Sequence, residues 1–179
     1  MKTLVAYYSL GGNTKEIAEK VARALRADVI EIKTVKDYPD DYDVLLSLGQ
    51  KEVASGYIPA LQPVQIDWDK YETVLLGSPV WWSSFAPAMK KFLSNYNWKG
   101  RVVYPFVTHG GTVGHVAGDF KRACAAHRWA RFLASSSKRI RSLHPTSSSK
   151  NGLRQSKTVG YQIDSSIFSR AACPAIQYS

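Results

Sequence analysis

The first fourteen residues constrain the fold more than any other stretch, because a buried strand runs into a helix through a loop that carries almost no bulk. Leu4, Val5, Ala6, Tyr7 and Tyr8 form a continuous apolar run with β-branched and aromatic members, the pattern of a strand covered on both faces. Ser9-Leu10-Gly11-Gly12-Asn13-Thr14 follows, and then Ile17, Ala18, Val21, Ala22 and Leu25 recur at helical spacing, with Thr14 as the expected cap. A loop that ends at a helix N-terminus presents unpaired N–H groups along the positive end of the helix dipole. Phosphate is the natural occupant.

The loop's residues narrow the choice of phosphate. A Walker loop needs a Lys-Ser/Thr pair after its second glycine, and the dinucleotide fingerprint needs three glycines at fixed spacing. Neither is present, and no Lys or Arg lies between Ser9 and Thr14. Backbone N–H groups, the hydroxyls of Ser9 and Thr14 and the Asn13 amide would have to hold the anion, which suits a monophosphate. The same residues also serve as a plain strand-to-helix turn, so the rest of the chain must decide.

At 179 residues with 45% apolar composition, the chain is long enough for one domain with a sizeable core and too apolar for a disordered one. No apolar run approaches a membrane span and no charged leader precedes the first strand, so a cytoplasmic protein without membrane contact is expected. Cys124 and Cys173 have no metal-ligand spacing, and neither a metal site nor a disulfide is expected. The net charge of +10 is uneven: residues 1–127 hold 15 Lys+Arg against 13 Asp+Glu (+2), while 128–179 hold 9 against one (+8). Serine changes at the same place, from 7 in the first 127 residues to 12 in the last 52. Two segments are expected, a folded domain over 1–127 and a basic, Ser-rich segment over 128–179.

Within the first segment, strands are expected at Val29–Ile32, Thr73–Leu76 and Val102–Val107, the second of them closed by Gly77-Ser78-Pro79. Helices are expected between Asp41 and Ala54 and from Pro87 through Tyr96, with a long loop over Gly56–Asp69. Pro105 inside the last strand marks a position where one N–H is not needed. Strands alternating with helices mean an α/β fold with a parallel, doubly wound sheet, and such sheets bind ligands at the carboxyl ends of their strands. Two loops there carry useful chemistry. Pro79-Val80-Trp81-Trp82-Ser83-Ser84 offers aromatic faces, and Thr108-His109-Gly110-Gly111-Thr112-Val113-Gly114 offers approachable backbone. A planar ring with a polar edge needs both. Adjacent tryptophans cannot both point inward along a strand, which argues against core packing for the pair; His109 reads as structural or solvent-facing rather than catalytic.

Tyr8-Ser9-Leu10-Gly11-Gly12-Asn13-Thr14, Gly77-Ser78-Pro79-Val80-Trp81-Trp82 and Thr108-His109-Gly110-Gly111, in that order, resemble the flavodoxin-like FMN-binding proteins, and within them the small bacterial flavodoxins with a Pro-x-Trp-Trp loop. The resemblance covers about residues 2–126. It implies an open parallel sheet of order 2-1-3-4-5 with helices on both faces, and FMN as cofactor. By resemblance, Ser9, Leu10, Gly11, Gly12, Asn13 and Thr14 wrap the phosphate, Pro79, Val80, Trp81 and Trp82 flank the isoalloxazine, and Thr108, His109, Gly110 and Gly111 meet its polar edge. No catalytic side chain is implied.

The chain departs from that pattern twice. Thr or Ser usually stands where Gly11 does, so one neutral hydrogen bond of about 0.5–1.5 kcal/mol is lost. From about His127, where a fifth strand and a closing amphipathic helix belong, Ser135-Ser136-Ser137-Lys138-Arg139 and Ser147-Ser148-Ser149-Lys150 appear instead, with only Val159, Tyr161 and Ile163 alternating as a short strand would. A shifted reading frame would produce this pattern, and so would a natural basic tail. Without a fifth strand, the fourth is expected to be a bare edge, the domain poorly stable without FMN, and residues from about 134 onward without fixed packing. The expected function is electron transfer between redox partner proteins or small quinone-like acceptors. An FMN-dependent NAD(P)H:quinone-type oxidoreductase is the alternative. A nucleic-acid or anionic-surface binder acting through its tail is the third reading, disfavoured because residues 134–160 lack interleaved aromatics.

Overall fold

The computed structural model describes residues 2–124, 128–129 and 133–136. Strand β1 (Lys2–Tyr8) leads into α1 (Asn13–Leu25) and β2 (Asp28–Ile32), and β1 pairs in parallel with β2 on one side and with β3 (Tyr71–Trp81) on the other. β3 pairs in parallel with β5 (Val102–His109), and the sheet reads β2-β1-β3-β5 from one edge. A short strand β4 (Ser84–Phe85) folds back antiparallel on the end of β3 and precedes α3 (Pro87–Ser94), while α4 (Val116–Cys124) follows β5. The expected open parallel α/β sheet is the one observed.

The alternation of β1 explains the layering. Leu4, Ala6 and Tyr8 share one face with Val74, Leu76, Val103 and Val107, packed on Met89, Phe92 and Leu93 of α3 and on Val116 and Phe120 of α4. Val5, Tyr7, Leu75 and Phe106 meet Ile17, Ala18, Val21 and Ala22 of α1 on the other face. Both faces are covered, which is why the strands read as continuous apolar runs.

The structure corrects several element ends. Gly12, not Thr14, is the N-cap of α1; it has φ 81° and no side-chain cap bond. Glycine turns the chain there because the left-handed conformation costs it little, and Thr14 then falls inside the first turn with its side chain buried. Gly77-Ser78-Pro79 does not close β3, which runs on to Trp81. Likewise β5 continues through Thr108 and His109. The bare edge expected on β5 is absent: β6 (Arg128–Trp129) pairs with Val102 and Val103, and β7 (Leu133–Ser136) pairs with Phe106 to His109, both in parallel. The two pairings cover what the serine- and arginine-rich composition hid. Packing is expected to be lost from about residue 134, yet residues 134–136 pair with β5 as part of β7; the rest of that expectation, the closing helix and the alternating residues Val159, Tyr161 and Ile163 lie outside the described residues.

α2 (Tyr42–Ser55) stands apart. Its Asp41 cap accepts the Val44 N–H at 2.9 Å, and Gly56 ends it at φ 70°. Gly49 is its only buried residue, and Tyr42, Val44, Leu46 and Leu48 are exposed. The expected loop of residues 56–69 carries one isolated bridge, Thr34 to Leu61, and a 3-10 turn at Trp68–Lys70 begins near its end. No helix among the described residues is long and apolar enough to cross a membrane.

Cys124 is buried at the end of α4, and burial pushes its thiol up to about 12. The nucleophilic thiolate is therefore scarce at neutral pH. Native protein treated with iodoacetamide at pH 7.5 should leave Cys124 unmodified, with alkylation appearing only on unfolding; peptide mapping reads the result.

Candidate functional site

The carboxyl ends of β1, β3 and β5 lie side by side, since Tyr7 registers with Gly77 and Pro79 with Thr108. Direct contacts tie the three expected segments together. The Thr14 and Thr108 hydroxyls are 2.8 Å apart in a buried hydrogen bond, which joins the first turn of α1 to the end of β5. The Tyr8 and Trp81 rings meet edge to face with centroids 6.4 Å apart, which joins the end of β1 to β3.

The first loop is open and under-bonded. Leu10, Gly11 and Gly12 are exposed and Asn13 is half-buried, yet the Ser9 hydroxyl is buried with no partner, as is the Tyr8 hydroxyl. A buried hydroxyl without a partner costs about 1–3 kcal/mol, and this cost falls in the loop whose N–H groups open α1. Burial raises the Tyr8 phenol above its ordinary value, and the Glu52 and Asp37 carboxylates add to the effect. Tyr8 therefore stays neutral at any physiological pH.

β3 carries the second segment past the sheet. Its last β1 partner is Gly77, so Pro79 needs no N–H on that side. Ser78 is fully buried: its hydroxyl accepts the Ala86 N–H at 3.0 Å and donates to the Pro79 carbonyl at 2.9 Å. The chain then reverses in a two-residue hairpin, with Trp81 paired to Ser84 and Val80 to Phe85. Trp82 and Ser83 form the turn at φ 44° and 69°. Both central residues of such a turn need positive φ, a role that Asn-Gly usually fills; two side chains in the left-handed region cost about 1–2 kcal/mol each. The two tryptophans separate: Trp81 is half-buried and packs against the core, contrary to the expectation from sequence, and Trp82, in the turn, is 38% exposed. Their rings cross edge to face at 6.2 Å.

Residues that the sequence does not single out hold this hairpin. Tyr38 packs edge to face on Trp81 at 5.3 Å and donates its hydroxyl to Glu52 at 2.6 Å. Burial and that hydrogen bond raise the Tyr38 phenol well above its ordinary value. The His115 N–H donates to the Ser83 carbonyl at 3.0 Å. Asp119 accepts from the Ser84 hydroxyl at 2.6 Å and from His115 Nδ1 at 2.7 Å, and its other oxygen is paired with Arg122. In the third segment, Thr108 is buried and His109 Nδ1 donates to the Gly111 carbonyl at 2.6 Å, so His109 braces its own loop. Gly110 and Gly111 are exposed, and a side chain at Gly111 would meet only open space. Among the described residues no group of three or more His, Cys, Asp or Glu could hold a metal ion.

A doubly wound parallel sheet with three loops gathered at the carboxyl ends of β1, β3 and β5 defines a flavodoxin-like α/β protein. The sequence matches the flavodoxin family model over residues 2–139, and the chain belongs to that family. Among solved structures it is similar to a protein assigned as a flavoprotein from Bacteroides eggerthii, at 28% identity and a TM-score of 0.67 over 78% of this chain and 89% of that one. It is also similar to a flavoprotein from Lactobacillus acidophilus NCFM solved in complex with FMN, at 27% identity and a TM-score of 0.64 over 74% of this chain and 92% of that one. No curated protein matches.

Proposed function

We propose that the chain binds FMN at the carboxyl edge of β1, β3 and β5 and passes electrons between redox partners. The observation that carries this reading is the unpartnered, buried Ser9 hydroxyl inside a basic-free loop at the start of α1. A phosphate there would give that hydroxyl its missing partner, and the loop's N–H groups would supply the remaining donors. The FMN complex of the Lactobacillus acidophilus relative supports the choice of ligand.

Ser9, Leu10, Gly11, Gly12, Asn13 and Thr14 would hold the phosphate, although Thr14 contributes mainly its N–H because its hydroxyl is engaged with Thr108. Trp81 and Trp82, with Pro79 and Val80 behind them, would flank the ring, and the segment Thr108, His109, Gly110 and Gly111 would face its polar edge with backbone. Bound FMN would supply one- and two-electron redox chemistry, so no side chain has to act as acid or base. The protein's work is to exclude water and fix the dipoles around the ring.

Titration of the apoprotein with FMN should quench flavin fluorescence to a one-to-one endpoint. Ser9→Ala should weaken binding about threefold to tenfold, the loss of a hydrogen bond of about 1 kcal/mol. No uptake of FMN would sink the proposal. NAD(P)H oxidation coupled to a quinone, well above the rate with free FMN, would replace the carrier by a flavin-dependent oxidoreductase.

A further inference from the structure

Gly49 has no backbone reason to be glycine. It lies in the interior of α2, where its φ is not positive and where glycine is among the weakest helix formers. Space explains it. A Cβ built on Gly49 would stand 2.8 Å and 3.0 Å from two carbons of the Trp82 ring and 3.4 Å from the Trp81 ring. It is also the only buried residue of its helix. The bare backbone of α2 therefore rests directly on the indoles.

Trp82 is confined from the other end of its turn as well. A Cβ on Gly114 would lie 2.2 Å from that of Ser83, and the adjacent His115 N–H bonds the Ser83 carbonyl. Two glycines from different elements thus close on a two-residue turn, one touching the ring and the other touching the backbone.

We propose that Gly49 is a positioning residue of the site: by bringing α2 into contact with Trp82 and Trp81 it fixes where both indoles stand, and so sets the aromatic wall that bounds the flavin. The inference rests on the proposed FMN site for its functional half and on packing alone for its structural half. A methyl group at position 49 must change the spacing between α2 and the Trp82 ring by several tenths of an ångström, because the ring atoms lie inside normal contact distance. A radial gap of about 0.5–1 Å forfeits roughly a quarter to a half of a dispersion contact.

Gly49→Ala is the test, with Gly118→Ala in α4 as control, since a Cβ there meets only the flexible end of Arg122 at 3.4 Å. In the apoprotein, Gly49→Ala should shift the ring-current-sensitive NMR signals of the Trp82 and Trp81 indoles, while Gly118→Ala leaves them in place. FMN binding should weaken about threefold to tenfold in Gly49→Ala, and the flavin's midpoint potential should move. In a Trp82→Ala background the same substitution should lose most of its effect. Unchanged indole signals would overturn the proposal whether or not FMN binds. An equal loss of affinity with and without Trp82 would also overturn it. Wild-type protein that takes up no FMN would remove the functional reading alone, leaving the indole signals to decide whether Gly49 positions the rings.

Discussion

Phe92→Ala is expected to lower the free energy of unfolding by about 3–5 kcal/mol. Phe92 is 1% exposed on α3, among the largest fully buried side chains, and its ring meets Tyr96 at 5.0 Å and Trp98 at 6.0 Å. Trp98 is itself held by an indole N–H bond to the Leu93 carbonyl at 2.8 Å, and Trp68 closes the group at 5.4 Å. Rings fixed on several sides cannot collapse into the space a phenyl leaves, so most of the cavity should persist. Against a typical total of about 5–15 kcal/mol, that loss is a large share. Urea unfolding monitored by tryptophan fluorescence would measure it. Phe92→Leu, which keeps most of the volume, should cost well under half as much; equal costs would show that the site relaxes and that packing is not what Phe92 supplies.

The second large effect belongs to Gly114. Its φ of 63° is one that L-residues adopt at a cost of about 1–2 kcal/mol. A Cβ there would also overlap Ser83, at 2.2 Å from its Cβ and 2.5 Å from its Cα. Overpacking of this kind costs about 1–3 kcal/mol, so Gly114→Ala should destabilise by about 2–5 kcal/mol in total. The damage should reach the proposed FMN site, because the strained turn carries Trp82. Ser83→Gly alone should leave stability unchanged or raise it, since φ 69° suits glycine. Combined with Gly114→Ala it should recover part of the loss. Denaturation midpoints of the three variants form the measurement, and a Gly114→Ala protein as stable as the wild type would contradict the described clamp.

The sheet was legible because its signals are local. Alternation in β1, the helical stripe of α1 and Pro87 at the first turn of α3 each sit within a dozen residues and agree with one another. Element ends were less legible. Gly77-Ser78-Pro79 looks like the end of β3, yet the strand continues because β5 still pairs with it, Pro79 opposite Thr108, after β1 has stopped at Gly77. Thr14 looks like a cap, but its hydroxyl is spent on Thr108, 94 residues away, a partner that no local pattern reveals. The same holds for the residues that support the site. Tyr38, Glu52, His115 and Asp119 matter through contacts across the fold, and only Gly49, an isolated glycine inside a helical pattern, left a trace in the sequence. The outer strands β6 and β7 were missed because a shift of composition hides a pairing made by backbone alone.

The thin attachment of α2 sets its place on the local stability scale. Besides Gly49, only Leu45, Glu52 and Val53 of the helix are even half-buried, Glu52 accepts the Tyr38 hydroxyl, and the other apolar side chains face water. Segments with so little buried area open at free energies far below that of global unfolding. Detaching α2 would break few contacts, would leave the β1–β3–β5 core intact, and would free Trp81 and Trp82 on one side. Exchange of anything lodged against those rings can then proceed through a brief, partial opening while the rest of the chain stays folded.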